Sequence, residues 1–323
     1  FKVQPGHEGF GPKYRDIWEN YIQRYNQLDA LIENGPPKKD AGELTWQNWV
    51  MNTFRGLGEF GVAYGVTGDK RFAEACSKYA KLIIGSAEEI ISRKALGQGG
   101  WDYLTEPVVR GWTQVANTPY ISAEEREGII EMLIYLHDGM RHWRWNKDTS
   151  PRVLSRHPLA ANFGLYVLAS YLKSVGYLGK DIEDELDKTI ANSHALFSTM
   201  SNSFTAGFNN WWMFDGISMM LQYSLEEPYL EFKENGNARL SVDYLAMCMN
   251  NNGELIKFGH TVNPWEEYDY YPIFGRGEML LQNGDYQWLL GHKLRNPESR
   301  DKMFVIWFGP FDLHFYDTGN TQR

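Results

Sequence analysis

The chain has 323 residues, 43% hydrophobic and 23% charged, with its 13 prolines scattered. That composition excludes disordered, collagen-like and low-complexity chains and supplies a sizeable core. A net charge of −9 excludes a surface built throughout for polyanions. Every apolar stretch is also interrupted well short of the ~18 to 20 residues of a membrane helix, so neither nucleic acid nor a membrane is an expected partner. Aromatic residues stand out, with 12 Trp, 19 Tyr and 17 Phe. They fill cores, and Trp and Tyr also suit surfaces that stack on sugars.

Helical periodicity sets in near residue 14. Tyr14, Ile17, Tyr21, Tyr25, Leu28 and Ile32 follow three-to-four spacing up to a stop at Asn34-Gly-Pro-Pro. Further helices are expected over 45–66, 69–93, 103–116, 122–140, 158–177, 180–200, 209–224, 238–250, 267–282 and 285–293. Ser122 and Glu125 have capping-box spacing, and Pro158 suits the first turn of its helix. Strand signals are confined to Leu255–Phe258 and to the run from Phe304 to Phe311, a strand or a buried tail.

Length alone allows one large domain or two. Helices joined by short Gly/Asn turns, with no heptad run and no fixed repeat, suggest antiparallel hairpins. The expected fold is therefore all-α: an (α/α) toroid, an incomplete barrel of helical hairpins with little or no β structure, occupying 1–323 as one catalytic domain. The two cysteines, Cys76 and Cys248, exclude a disulfide framework and leave one pair or two free thiols. A start at Phe1 reads as a mature or trimmed form, and a secreted or periplasmic location follows if a signal peptide has been removed.

Three segments carry chemistry. Residues 141–157 reverse the local sign of charge: Arg141, Arg144, Lys147, Arg152 and Arg156 face a single acid, Asp148, with Trp143 and Trp145 interleaved and His157 at the end. Guanidinium groups grip carboxylates bidentately while indoles stack on sugar rings, which suits an acidic oligosaccharide. A solvated loop between helices is the plainer reading.

In the second segment, 207–220, Asn209 and Asn210 precede Trp211 and Trp212 at a helix start. Such an amide either caps the helix or donates to a substrate carboxylate without adding charge. The third, 253–280, contains His260, Trp265, Tyr268, Tyr270, Tyr271 and then Arg276 between two glycines. Histidine moves protons near neutral pH, and tyrosine does so where a neighbouring cation lowers its pKa from ~10.

The order Asn-Trp-Trp, then a Gly-x-Leu-Ile stretch ending in His, then a Tyr-rich segment resembles the family of hyaluronate, chondroitin AC and xanthan lyases. The run Ser155-Arg-His-Pro-Leu-Ala-Ala-Asn-Phe is similar to a His-bearing helix start in heparinase II/III-like and alginate lyases. The first resemblance implies an (α/α) toroid, here a toroid-only relative, whose catalytic group is an Asn, a His and a Tyr. Matched positions are Asn210 with Trp211 and Trp212, His260 and one of Tyr268, Tyr270 or Tyr271, with Arg276 as the family's arginine; carboxylate neutralisation then falls to Asn210 with help from His260 or, through the second resemblance, His157. The implied activity is β-elimination on a uronic-acid polysaccharide such as glucuronan, alginate or chondroitin, with no metal and no organic cofactor.

Two rivals stay open. Asp215, Glu266, Glu267 and Asp269 offer the carboxylate pair of a toroid glycoside hydrolase acting on uronides, and a non-catalytic helical protein binding acidic glycans would need neither set. Gly56-Leu-Gly-Glu-Phe-Gly matches a dinucleotide fingerprint but lies in helical periodicity with no strand before it. His137 and His142 are five apart and do not share a face, so no zinc spacing arises.

Overall fold

A computed structural model describes, with scattered gaps, residues 34–142, 156–199, 217–225, 231–247 and 271–286, a few positions between 19 and 27, and the strand residues 303–309 and 312–319. Backbone contacts gather the chain into two compact units, Phe1–Ala195 and Leu196–Arg323.

The first unit is built from α1 (Glu43–Thr67), α2 (Lys70–Gly85), α3 (Ala87–Ser92), α4 (Trp101–Val115), α5 (Ala123–His142), α6 (Arg156–Val175) and most of α7 (Lys180–Thr199). Helix α1 packs against α2 and α4, α4 against α6, α2 against α5, and α5 against α6. The turn between α1 and α2 is set locally. Gly68 ends α1 in the left-handed region at φ 72°, its N–H bonding to the Tyr64 carbonyl, and Asp69 opens α2 by accepting the Arg71 N–H at 3.0 Å.

The helix expected over 69–93 is broken at Ser86. Its N–H turns back to the carbonyls of Ile83 and Ile84, its backbone leaves the helical region, and the chain restarts as α3. Helix α3 ends in a Schellman arrangement with Lys94 at φ 49°, the Lys94 N–H on Ile91 O and the Ala95 N–H on Ile90 O.

The expected capping box is present and does more than cap. The Ser122 N–H donates to Glu125 Oε2 at 2.7 Å and the Glu125 N–H to Ser122 Oγ at 3.1 Å. The other carboxylate oxygen takes the Ser77 hydroxyl at 2.6 Å and faces Lys81 at 3.3 Å, so this 5%-exposed acid ties α5 to α2. Burial alone would raise its pKa, but those donors together hold it below the usual carboxylate range.

Aromatic residues fill the centre of this unit. Trp46, Trp101, Trp112, Phe54, Phe60 and Phe72 are wholly buried, with Phe54 edge-on to Trp101 at 5.3 Å and Phe60 stacked on Phe72 at 5.8 Å. The fingerprint-like glycines lie within α1, where they let α4 approach. A methyl on Gly58 would come within 2.8 Å of the Val108 Cα, and one on Gly61 would run into the Gly111 carbonyl. Cys76 is a free buried thiol, pushed up by burial, whose S–H points to the Leu57 carbonyl at 3.5 Å. Cys248 lies outside the described residues.

The second unit contains a helical stretch at 219–225, then α8 (Glu231–Glu234), α9 (Asn237–Met247) and α10 (Tyr271–Leu281). Helix α9 packs on both α8 and α10. At the α9/α10 contact Gly277 leaves room for Val242, and Phe274 sits 6.3 Å from the ring of the buried Tyr286. The C-terminal apolar run is a strand: β1 (Met303–Gly309) pairs antiparallel with β2 (Asp312–Gly319), Val305 opposite Tyr316 and Trp307 opposite His314. The described residues are thus helical apart from this hairpin. The short strand expected at Leu255–Phe258 and the helix over 14–34 fall wholly or largely outside them.

Candidate functional site

The basic segment joins two packed helices. Arg141 closes the last turn of α5, and Arg156 and His157 are the first two residues of α6, with Pro158 in that first turn as expected. Trp143, Arg144, Trp145 and Arg152 lie outside the described residues. So do Asn209, Asn210, Trp211 and Trp212 of the second segment, His260, Trp265, Tyr268 and Tyr270 of the third, and the rival acids Asp215, Glu266, Glu267 and Asp269. Tyr271 is the first residue of α10 and Arg276 stands midway along it, half-buried. Five residues apart, they do not have the three- or four-residue spacing that makes helical positions neighbours, so the helix itself does not set this cation against this tyrosine.

At the C-terminal end of α5, two residues one turn apart meet two residues one turn apart on α7. The Arg141 guanidinium is ion-paired with Glu185 Oε2, and the other Glu185 oxygen holds Lys188 at 2.7 Å. The buried His137 places Nε2 2.9 Å from the hydroxyl of Thr189, which is also buried. That hydroxyl in turn lies 3.1 Å from the Glu185 carbonyl. Because the threonine proton goes to the carbonyl, the histidine nitrogen is the donor in the first bond, which assigns the Nε2–H tautomer. Sequence spacing alone carries the signal: His137/Arg141 and Glu185/Thr189 are both i, i+4 pairs. The five-residue spacing of His137 and His142 does not reveal it.

Burial, with Arg141 beside it, lowers the His137 pKa from 6.5 to about 4. The folded form therefore excludes a proton that the unfolded chain takes up. This contribution to stability is complete above about pH 6.5 and is lost as pH falls towards 4. Urea titrations should show stability declining across that window by up to ~3 kcal/mol. His137→Gln, which keeps a donor for Thr189, should flatten that part of the profile. An unchanged slope in the variant would remove His137 as its source.

In the second unit the Tyr286 hydroxyl donates to Asp243 Oδ1 at 2.6 Å, and Arg239 lies 3.4 Å from the other oxygen. Burial and the carboxylate both push the Tyr286 pKa up, so it keeps its proton at neutral pH and acts as a structural anchor. A tyrosine that shuttles protons needs the opposite surroundings.

A cleft of about 260 Å³ opens between α1 and α4, with Arg55, Glu59 and Tyr103 among apolar Val62, Leu104, Pro107 and Val108. Arg55 donates to Asn52 Oδ1 at 3.2 Å.

Among the described residues no cluster of His, Cys, Asp and Glu is arranged to hold a metal ion, and no helix is long and apolar enough to cross a membrane. Comparison with protein-family models, curated proteins and solved structures found no match for this chain.

Proposed function

We propose that the protein is a polysaccharide lyase that cleaves a uronic-acid polymer by β-elimination on an (α/α) toroid. The observation that carries this reading is the ordered set Asn210-Trp-Trp, His260 and the tyrosines leading to Tyr271, all placed in a chain whose described residues are helical save one hairpin. The segment 141–157, strung between packed helices α5 and α6, supplies cations for an anionic polymer. Polymers of this kind are met outside the cytoplasm, which agrees with a secreted or periplasmic location.

The chemistry requires neutralisation of the C6 carboxylate, removal of the C5 proton and protonation of the leaving oxygen. Asn210 donates to the carboxylate, with His260 or His157 as the second donor. A tyrosine of 268, 270 or 271 takes the C5 proton, His260 being the other candidate base. As the C4–O bond breaks, its electron pair leaves with the oxygen, the tyrosine returns a proton to that oxygen, and C4 and C5 become doubly bonded. Arg276 favours the ionised tyrosine.

The product is the test. Purified protein incubated with glucuronan, alginate, hyaluronan and chondroitin should raise ultraviolet absorbance with at least one of them, because the new 4,5-unsaturated end absorbs. New reducing ends without absorbance would replace elimination with hydrolysis. Binding that leaves every polymer intact would make this a glycan-binding protein.

A further inference from the structure

Resting on the lyase reading, the structure assigns Arg141 a positioning role: with His137, Glu185 and Thr189 it forms a polar clasp between α5 and α7 that sets where the basic segment leaves α5, and the glycan is left to the cations beyond it. Three observations lead there. The Arg141 charge is already paired with Glu185, and that carboxylate is shared with Lys188, so an anion reaching the part-exposed guanidinium has to compete with a carboxylate already in place. One turn earlier, His137 and Thr189 repeat the α5-to-α7 link below the surface, where a lost hydrogen bond is not replaced by water. Helix α7 is itself held to α6 through Lys173 with Asp187 and through the Ser193 hydroxyl on the Asn162 carbonyl at 3.3 Å. Both helices that bracket the basic segment are therefore tied to α7, which acts as a common strut for its two ends.

Two roles for Arg141 make opposite predictions for one partner. If Arg141 gripped the glycan, Glu185 would compete with the substrate, and Glu185→Gln would tighten binding. If Arg141 positions the segment, Glu185→Gln must weaken binding much as Arg141→Gln does, and the double variant should be little worse than either. A charge exchange sharpens the contrast. Arg141→Glu alone leaves two carboxylates facing each other, whereas Arg141→Glu with Glu185→Arg, made with Lys188→Gln so that the new guanidinium does not face the Lys188 ammonium, restores an ion pair while placing an acid at 141.

The experiment has two arms, both on the full chain. In the first, amide hydrogen exchange of residues 137–142 and 185–189 is followed without any glycan. Exchange should rise in Arg141→Glu and Glu185→Gln and return towards wild type in the exchanged pair and in Arg141→Lys, which keeps the charge. Unchanged exchange in every variant would overturn the clasp. In the second, KM and kcat are measured on whichever of alginate, hyaluronan, glucuronan or chondroitin is cleaved. Arg141→Glu should raise KM with kcat little altered, the pattern of lost uniform binding, and the exchanged pair should recover it. An exchanged pair as poor as Arg141→Glu would return Arg141 to the substrate and overturn the positioning role. Should no polymer be cleaved, the lyase reading fails on its own, and the exchange arm still decides the clasp.

Discussion

Asn210→Ala is expected to lower kcat and kcat/KM together by about 100-fold to 1000-fold, the usual effect of removing one donor from a developing oxyanion. The reason is differential: on losing its C5 proton the substrate carries enolate-like charge on the C6 carboxylate, so the amide's strongest hydrogen bond exists only near the transition state. Tyr→Phe at 268, 270 and 271, made singly, should single out one position where activity nearly vanishes while the ring and its packing stay. The other two should be mild, and His260→Ala should be severely impaired. Rates measured by ultraviolet absorbance on the cleaved polymer check all five variants. Near-normal rates in Asn210→Ala and all three Phe variants, with Asp215→Asn or Asp269→Asn inactive, would make the enzyme a hydrolase.

Gly111→Ala should be the most damaging single methyl group in the described part of the molecule. Its Cβ would run into the Gly58 carbonyl, and a methyl on Gly61 would in turn meet Gly111. These are backbone contacts between α1 and α4, so no side chain can swing aside to relieve them, and the two helices must separate. Separation loosens the surroundings of Phe54, Trp101 and Trp112, which are wholly buried. A loss of about 3 kcal/mol or more is expected from such overpacking, measured as a shift in the urea midpoint with the slope unchanged. Gly85→Ala is the control: it is helical, no atom lies within 4 Å of its added methyl, and the lower entropy of the unfolded chain should stabilise it by about 0.5 to 1 kcal/mol. Equal effects at the two positions would show that helix propensity, and not the α1/α4 contact, governs these glycines.

Both kinds of glycine look alike in the amino-acid string. Gly58, Gly61 and Gly111 differ from Gly85 only in which helix lies across from them, and that neighbour comes from elsewhere in the chain. The fingerprint-like spacing from Gly56 to Gly61 shows the same limit: helical periodicity correctly rejected a nucleotide loop, but what the glycines accomplish became visible only once α4 was in place. The break at Ser86 is similar. A three-to-four pattern continues through it, and the pattern does not register a backbone that turns out of the helix for one residue and restarts.

What the sequence by itself determined is local. Helical periodicity and caps placed α1, α4, α5, α6 and α7 within about two residues of their ends, and the Ser122/Glu125 box formed as its spacing demands. Those features depend on hydrogen bonds and apolar faces within a few residues along the chain. Only the tertiary structure decided the rest: that Glu125 also reaches Ser77 and Lys81, that Arg141 is paired with Glu185, that His137 is buried against Thr189, and that Asp312–Gly319 pairs with Met303–Gly309. Apart from the hairpin, each of these contacts joins residues more than forty positions apart, and in the hairpin the pairing depends on a facing strand. A charge or a buried imidazole takes its role from the partner that packing brings to it, and that partner is not written in its immediate neighbours.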